Sequence, residues 1–568
     1  MPKAGSIFAM ATAALHRSRR RSRPMNRLSH GLRIALLASA LGAVPAISAH
    51  AAELVLVSGD AGTGLGLEDP TPKAPEGFNP GTTLGQQRTI AYQFAMDLWG
   101  SVLESEATIF IGASFQPLAC TPTSGTLGSA GTTFVFSDFA AGILADTWYP
   151  SALADAIAGS DLNPGFIDIN SRFNGDIGVN PDCLTGSDWY YGLDGNTPAG
   201  KINFLNVVMH EIGHGLGFQG FTNSTGGFFS NRQDIYSTFA YDNVLAKTFP
   251  EMTAAERSTA LRNTGQLVWT GDDVTSQAAL ILDNRNVLRV TAPAAIAGSY
   301  EVGLAGFGPA PTVANFSGTL VAALDGGGVS TTDACEPIAN AAEVAGNVAL
   351  VDRGTCTFVI KAANLQAAGA TAMLLANNAP GAPALGGADP SITIPSMSVS
   401  LADGALLRAN LPAQVGFFVD PDLYQGADSQ GRVRLYAPNP YESGSSFSHY
   451  DTALAPNALM EPAITSTLRG DVNVDITPAL FSDIGWRLNS GNARIGNCDT
   501  TVDVIGDGGL MPGANVQAWS NLCLRTQPRK GDYQRCMDAY KTRALADGIL
   551  VGNQGGKVMT CAARISRP

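Results

Sequence analysis

The residues best equipped for chemistry lie in one run, Val207-Val208-Met209-His210-Glu211-Ile212-Gly213-His214-Gly215-Leu216-Gly217-Phe218. Read as a helix, this run sets its two histidines one turn apart on the same face. That spacing lets both imidazoles reach one metal ion, and Glu211 beside the first can hold a water that the metal activates. Phe204, Leu205, Val208, Ile212 and Leu216 supply an apolar opposite face, which suits a helix buried on one side. Gly217 and Gly220 would let the chain turn sharply away beneath the metal. The plainer reading is a chance His-Glu-x-x-His in a core helix.

Composition narrows the choice. The chain has 568 residues, 45% hydrophobic and 15% charged, enough for two to four domains with sizeable cores. Residues 1–51 differ from the rest. Arg17, Arg19, Arg20, Arg21, Arg23, Arg27 and Arg33 lead into the apolar run Ile34 to Ala49, and Ala49-His50-Ala51 resembles a cleavage site. The segment reads as a secretory signal, with Met25 an alternative start, rather than as a membrane anchor, for which the run is short. Its removal takes away eight basic residues and leaves 27 against 48 acidic, a net charge of −21. That excludes nucleic acid as a natural partner and suits an exported, self-repelling protein, extracellular or periplasmic. The same cut leaves only three of the six histidines: His210, His214 and His449. Two belong to the motif, so His449 is the one candidate for a third imidazole. All eight cysteines remain: Cys120, Cys183, Cys335, Cys356, Cys498, Cys523, Cys536 and Cys561. An even count without a Cys-x-x-Cys pair points to disulfides rather than a zinc cluster.

The elements that would position the site read as α+β, a twisted sheet backed by helices. Leu54 to Val57, Ala107 to Ile111, Thr132 to Phe136 and Phe166 to Asn174 have strand texture, the last carrying polar groups towards the site helix. Gln86 to Leu103 is helical, with Ile90, Phe94, Leu98 and Leu103 on one side. Asp188 to Asp194 is expected to be a loop whose aromatics pack. After the motif, helical patterns run through Ile235 to Leu245 and Ala254 to Arg262. Thr477-Pro478 is a good helix start and Gly485 a good stop.

From Leu282 to Phe418 the texture turns Ala/Gly/Val-rich. Cys335-Glu336-Pro337, Val348-Ala349-Leu350-Val351-Asp352-Arg353-Gly354-Thr355-Cys356-Thr357-Phe358, and Lys361 to Ala370 resemble a protease-associated (PA) domain. Asn377-Asn378, Ile394-Pro395-Ser396 and Asp403-Gly404 continue the resemblance. It implies a non-catalytic module that binds peptides or gates access to a protease, with Cys335 and Cys356 stapling its first pieces. A purely structural insert is the alternative.

The motif also resembles the metzincin zinc endopeptidases, whose longer pattern is His-Glu-x-x-His-x-x-Gly-x-x-His. This chain matches through Gly217, and Gly220 stands where the third histidine would be. Leishmanolysin-like metzincins carry an insertion at that point. His449, followed by Leu459-Met460-Glu461-Pro462, is similar to their later half. The resemblance implies zinc held by His210, His214 and His449, with Met460 as a soft floor beneath it and Glu211 as general base. Tyr450 is a candidate to steady the oxyanion, packing being its other role. The layout expected is a signal at 1–51, a catalytic domain in two parts at 52–281 and 421–488, a PA domain at 282–420, and a cysteine-bearing region at 489–568.

Three neutral imidazoles leave a fourth tetrahedral position for water, so the expected reaction is hydrolysis of peptide bonds in protein or peptide substrates. The alternatives are an exported binding protein using the PA domain on an inactive scaffold, and a zinc hydrolase of esters or amides. Calcium suits an acidic exported chain, but no calcium loop of recognisable spacing occurs.

Overall fold

The computed structural model describes residues 51–566, so the export signal read at 1–51 lies outside the described residues apart from Ala51. Among the described residues no helix is long and apolar enough to cross a membrane. The chain divides into two units. One holds the residues up to Gln219 with Ala463–Val474 and Phe481–Pro568, and the other holds Gly220–Pro462 with Asp475–Leu480.

In the first unit a four-stranded sheet runs in the order Leu54–Ser58, Ile109–Gln116, Ile169–Asn174, Gly128–Thr132. The first three are parallel and the last is an antiparallel edge. The expected strand Thr132 to Phe136 is divided: Thr132 ends the edge strand, while Val135–Phe136 pairs with Tyr149–Pro150. The Thr132 hydroxyl donates to the Phe134 carbonyl, closing the bend between the two. The Leu84–Val102 helix starts where the Thr83 side chain caps the Gln86 N–H, and it buries Phe94, Leu98, Trp99 and Val102.

The carboxy-terminal cysteine region belongs to this unit. Its Pro512–Thr526 helix joins the core of this unit, with Trp519 edge-on to Phe94 at 5.2 Å and Arg525 paired to Asp97 at 2.6 Å. Cys498–Cys561 and Cys523–Cys536 close it, and Cys120–Cys183 is the third disulfide of the unit. A second helix of the region spans Lys530–Ala546.

The second unit is built on an eight-stranded mixed sheet between Asn284 and Tyr424. Its middle strands, Ser317–Ala322, Val348–Asp352, Ala372–Ala376 and Ser396–Val399, are parallel. Parallel strands are covered on both faces, which explains the unbroken apolar run Val348-Ala349-Leu350-Val351. Val348 and Leu350 enter one core, while Ala349 and Val351 enter the other. Phe358–Ala367 is the crossover helix between the second and third of these, Leu401–Ala409 leads on to the antiparallel strand Ala413–Tyr424, and Cys335–Cys356 is disulfide-bonded.

Two local expectations differ from the structure. Ile235 to Leu245 is not a helix: a short 3-10 turn, Tyr236–Phe239, passes into the strand Ala240–Asp242, paired with Leu267–Trp269. Tyr236 and Phe239 pack on Trp269 at 4.8 and 4.9 Å, a nonlocal contact that outweighs the helical pattern. Asp188 to Asp194 is not all loop either, because Asp188–Tyr190 pairs in parallel with Lys201–Asn203.

Candidate metal centre

That short pairing aims the site helix. Tyr190 lies opposite Asn203, and Asn203 is the N-cap of the Phe204–Leu216 helix, its side chain accepting from the Asn206 N–H at 3.0 Å. Trp189 and Tyr191 pack edge-on against Phe204 at 5.4 and 5.3 Å, the packing role expected of those aromatics. Asn206 then ties the first turn down. Its amide donates to the Leu468 carbonyl at 2.9 Å and its oxygen accepts from the Gly470 N–H at 3.0 Å. Two indoles hold the rest: Trp99 Nε1 donates to the Met209 carbonyl at 3.0 Å, and Trp486 Nε1 to the Leu216 carbonyl at 2.8 Å.

The helix is buried along its whole length, so its packing is tight on every side. A Cβ on Gly215 would sit 2.2 Å from Ile169 Cγ2, so only glycine lets the helix rest on that strand. Gly217 is the C-cap at φ +129°, the turn expected from sequence. Gly220 is not in the left-handed region. It is small because the Phe447 ring lies where a Cβ would be, 2.1 Å away.

His210 and His214 share one face as predicted, with their Nε2 atoms 3.0 Å apart. The His214 Nδ1 faces the Phe218 carbonyl at 2.8 Å. A carbonyl only accepts, so Nδ1 carries the proton and Nε2 keeps its lone pair for a metal. Burial pushes the His214 pKa down to about 4, which keeps the ring neutral at physiological pH. Two imidazole nitrogens converging this closely match a pair of ligands on one tetrahedral ion.

Glu211 is fully buried, and neither carboxylate oxygen has a hydrogen-bond partner. Its side chain lies against the edge strand, where a Cβ on Gly128 would come within 2.9 Å of Oε1. Burial holds its pKa well above the usual carboxylate range, opposed only by the nearby Ala130 backbone. A buried carboxyl without protein partners is costly unless it serves water or a cation.

In the second unit His449 is also fully buried, with Nδ1 against the Ser445 carbonyl at 2.8 Å. By the same argument Nδ1 carries the proton, so the neutral ring has its other lone pair on Nε2. Tyr450 N–H donates to the Met460 carbonyl at 2.9 Å, which joins the two ends of the His449–Met460 stretch. Tyr450 and Met460 have no exposed surface. The sequence reading did not find Trp99, Asn206 and Trp486, which orient the site helix. No local signal marks them, since their partners lie up to 270 residues away.

The family model described as PA domain matches residues 316–407. Vacuolar-sorting receptor 2 of Arabidopsis thaliana is 34% identical over 159 residues, covering 25% of each chain. The chain thus spans about a quarter of the length of that curated relative. A zinc aminopeptidase from Bacillus subtilis aligns over 33% of this chain and 43% of its own, at 20% identity and a TM-score of 0.18. A subtilisin-like protease from Pseudoalteromonas aligns over 25% and 34%, at 22% identity and a TM-score of 0.19. The chain is therefore a mixed α+β, disulfide-bonded protein in which residues 316–407 form a PA domain.

Proposed function

We propose that the chain is an exported zinc endopeptidase of the leishmanolysin-like metzincin type. In this reading, 52–281 and 421–488 are the halves of the catalytic domain and the PA domain lies between them. The observation that carries it is the buried turn His210-Glu211-x-x-His214, with converging Nε2 atoms and a carboxylate lacking protein partners. His449 is the proposed third ligand. All three histidines are buried.

Bound zinc would polarise the scissile carbonyl and acidify the attacking water. Glu211 takes the proton from that water and passes it to the leaving amine, so no acyl-enzyme is needed. Burial strengthens this exchange by excluding competing solvent. Met460 is the floor of the site. Tyr450 is fully buried and holds the Met460 main chain, which favours a supporting role over contact with an oxyanion. The PA domain binds or admits the peptide.

Likeness to part of a vacuolar-sorting receptor favours one second reading, an exported protein that captures ligands without cleaving them. Metal analysis with casein digestion separates the two. One zinc per chain, with digestion abolished in Glu211→Ala while zinc is retained, supports the peptidase. Zinc without proteolysis by the intact chain rejects it and leaves ligand capture or another hydrolase.

A further inference from the structure

We propose that Asp325, Asp333 and Glu336, within the PA domain, hold one calcium ion. Each of the three offers a carboxylate oxygen, and these oxygens all lie within 4.8 Å of one another. Asp325 is only 4% exposed and Asp333 only 2%. Mutual repulsion at that separation and depth is unfavourable unless positive charge lies among the oxygens.

The protein's own cation covers one flank. Lys361 is fully buried, lies 4.0 Å from Asp333 Oδ2, and donates to the Asp333 carbonyl and to Cys335 Sγ. Asp333 Oδ1 accepts from the Cys335 N–H at 3.3 Å. The other flank is not covered. Asp325 Oδ2 takes only a long bond from the Glu336 N–H, 3.4 Å, and Asp325 Oδ1 and Glu336 Oε2 are buried with no partner beyond the contact between the two carboxyls themselves. A buried aspartate thus directs an unsatisfied oxygen into a cluster whose three negative charges meet one ammonium. The remaining charge is that of one divalent cation.

The donors select the ion. All are carboxylate oxygens, the adjacent Cys335 is committed to its disulfide, and no imidazole takes part. Hard oxygen donors suit calcium and disfavour zinc. The backbone is shaped for close approach: Gly328 sits at φ +81°, where a Cβ would collide with the Glu336 carboxylate at 2.5 Å. Carboxylates set at irregular spacing suit the variable coordination of calcium better than the strict octahedron of magnesium. The spacing, Asp325 to Asp333 to Glu336, follows no common calcium loop, so only the folded loop reveals it.

Equilibrium dialysis of the full exported chain, zinc-loaded, against radiolabelled calcium chloride tests the site. The expected result is one calcium per chain with a dissociation constant of about 10⁻⁴–10⁻³ M, the range of extracellular modules. Asp325→Asn should weaken uptake roughly tenfold or more through loss of ligand charge. It should also melt higher than the parent in chelator, since a repelling carboxylate is gone, and lower than the parent in calcium. Glu336→Gln, at the more exposed ligand, should weaken uptake likewise and covers the case in which Asp325→Asn does not fold. No uptake by the parent at millimolar calcium, or undiminished uptake by either folded variant, overturns the site. Equal displacement by equimolar magnesium overturns the choice of ion.

Discussion

Replacing Gly215 by alanine is expected to destabilise the first unit, although alanine is the better helix former. On an unobstructed helix the change would add about 1 kcal/mol of stability. Here the new Cβ would stand 2.2 Å from Ile169 Cγ2 and 2.8 Å from Cγ1 and Cδ1. An ordinary carbon contact is about 3.5 Å, so the overlap exceeds an ångström. Ile169 is fully buried in the middle of the sheet and cannot swing away. Overpacking of this kind costs about 1–3 kcal/mol, so the net effect is a loss of up to about 2 kcal/mol. Five of the six tryptophans lie in this unit, two of them bonded to the site helix, so tryptophan fluorescence during urea unfolding reads the relevant transition. Ile169→Ala alone should cost about 2–5 kcal/mol for its cavity, and the double variant less than the two losses together by about 1 kcal/mol or more. Weakened zinc uptake should accompany the single change, because His214 is the preceding residue. Stabilisation by Gly215→Ala, or strict additivity with Ile169→Ala, would refute the close-approach argument.

Three other outcomes are expected. His449→Ala should lose zinc while keeping the far-ultraviolet dichroism of the parent; stoichiometric zinc in that variant would exclude the third ligand. Asn206→Ala should lower stability by about 2–4 kcal/mol, because the Leu468 carbonyl and Gly470 N–H are both left unpaired in a buried site; a loss below about 0.5 kcal/mol in denaturant melts would contradict it. Asp155 is buried and faces Asp168, which together raise its pKa from 3.8 to about 7. The folded state therefore holds a proton that the unfolded chain releases near pH 4, and the associated stability is full below that pH and lost as pH rises through about 7. Asp155→Asn should remove this loss, so the two stabilities converge below about pH 4, draw apart as pH rises towards 7 and stay apart above it, with the variant the more stable. A separation independent of pH would reject the assignment.

Much of the site was legible because its code is local. A pair of histidines four residues apart faces one way on any helix, and Asn203 and Gly217 bound that helix with short-range cap chemistry. The doubly apolar run Val348 to Val351 likewise announces a strand covered on both faces, and Thr477-Pro478 with Gly485 brackets the Thr477–Ile484 helix. Even cysteine count announced disulfides, but not which of three pairings closes the carboxy-terminal four. That choice depends on which helices pack together, and here the chain joined Cys498 to Cys561 and Cys523 to Cys536.

What spacing determined alone was a candidate chemistry: two imidazoles one helical turn apart beside a carboxylate, a set able to grip a divalent metal. Only the tertiary structure decided how that turn is held. The pairing of Asp188–Tyr190 with Lys201–Asn203, the indoles of Trp99 and Trp486, and the gathering of Asp325, Asp333 and Glu336 all arise from contacts or close approaches with no periodic trace in the chain. The physical reason is that helical periodicity and caps are settled by neighbours within a turn, whereas burial of a polar group depends on whichever distant segment supplies its partner.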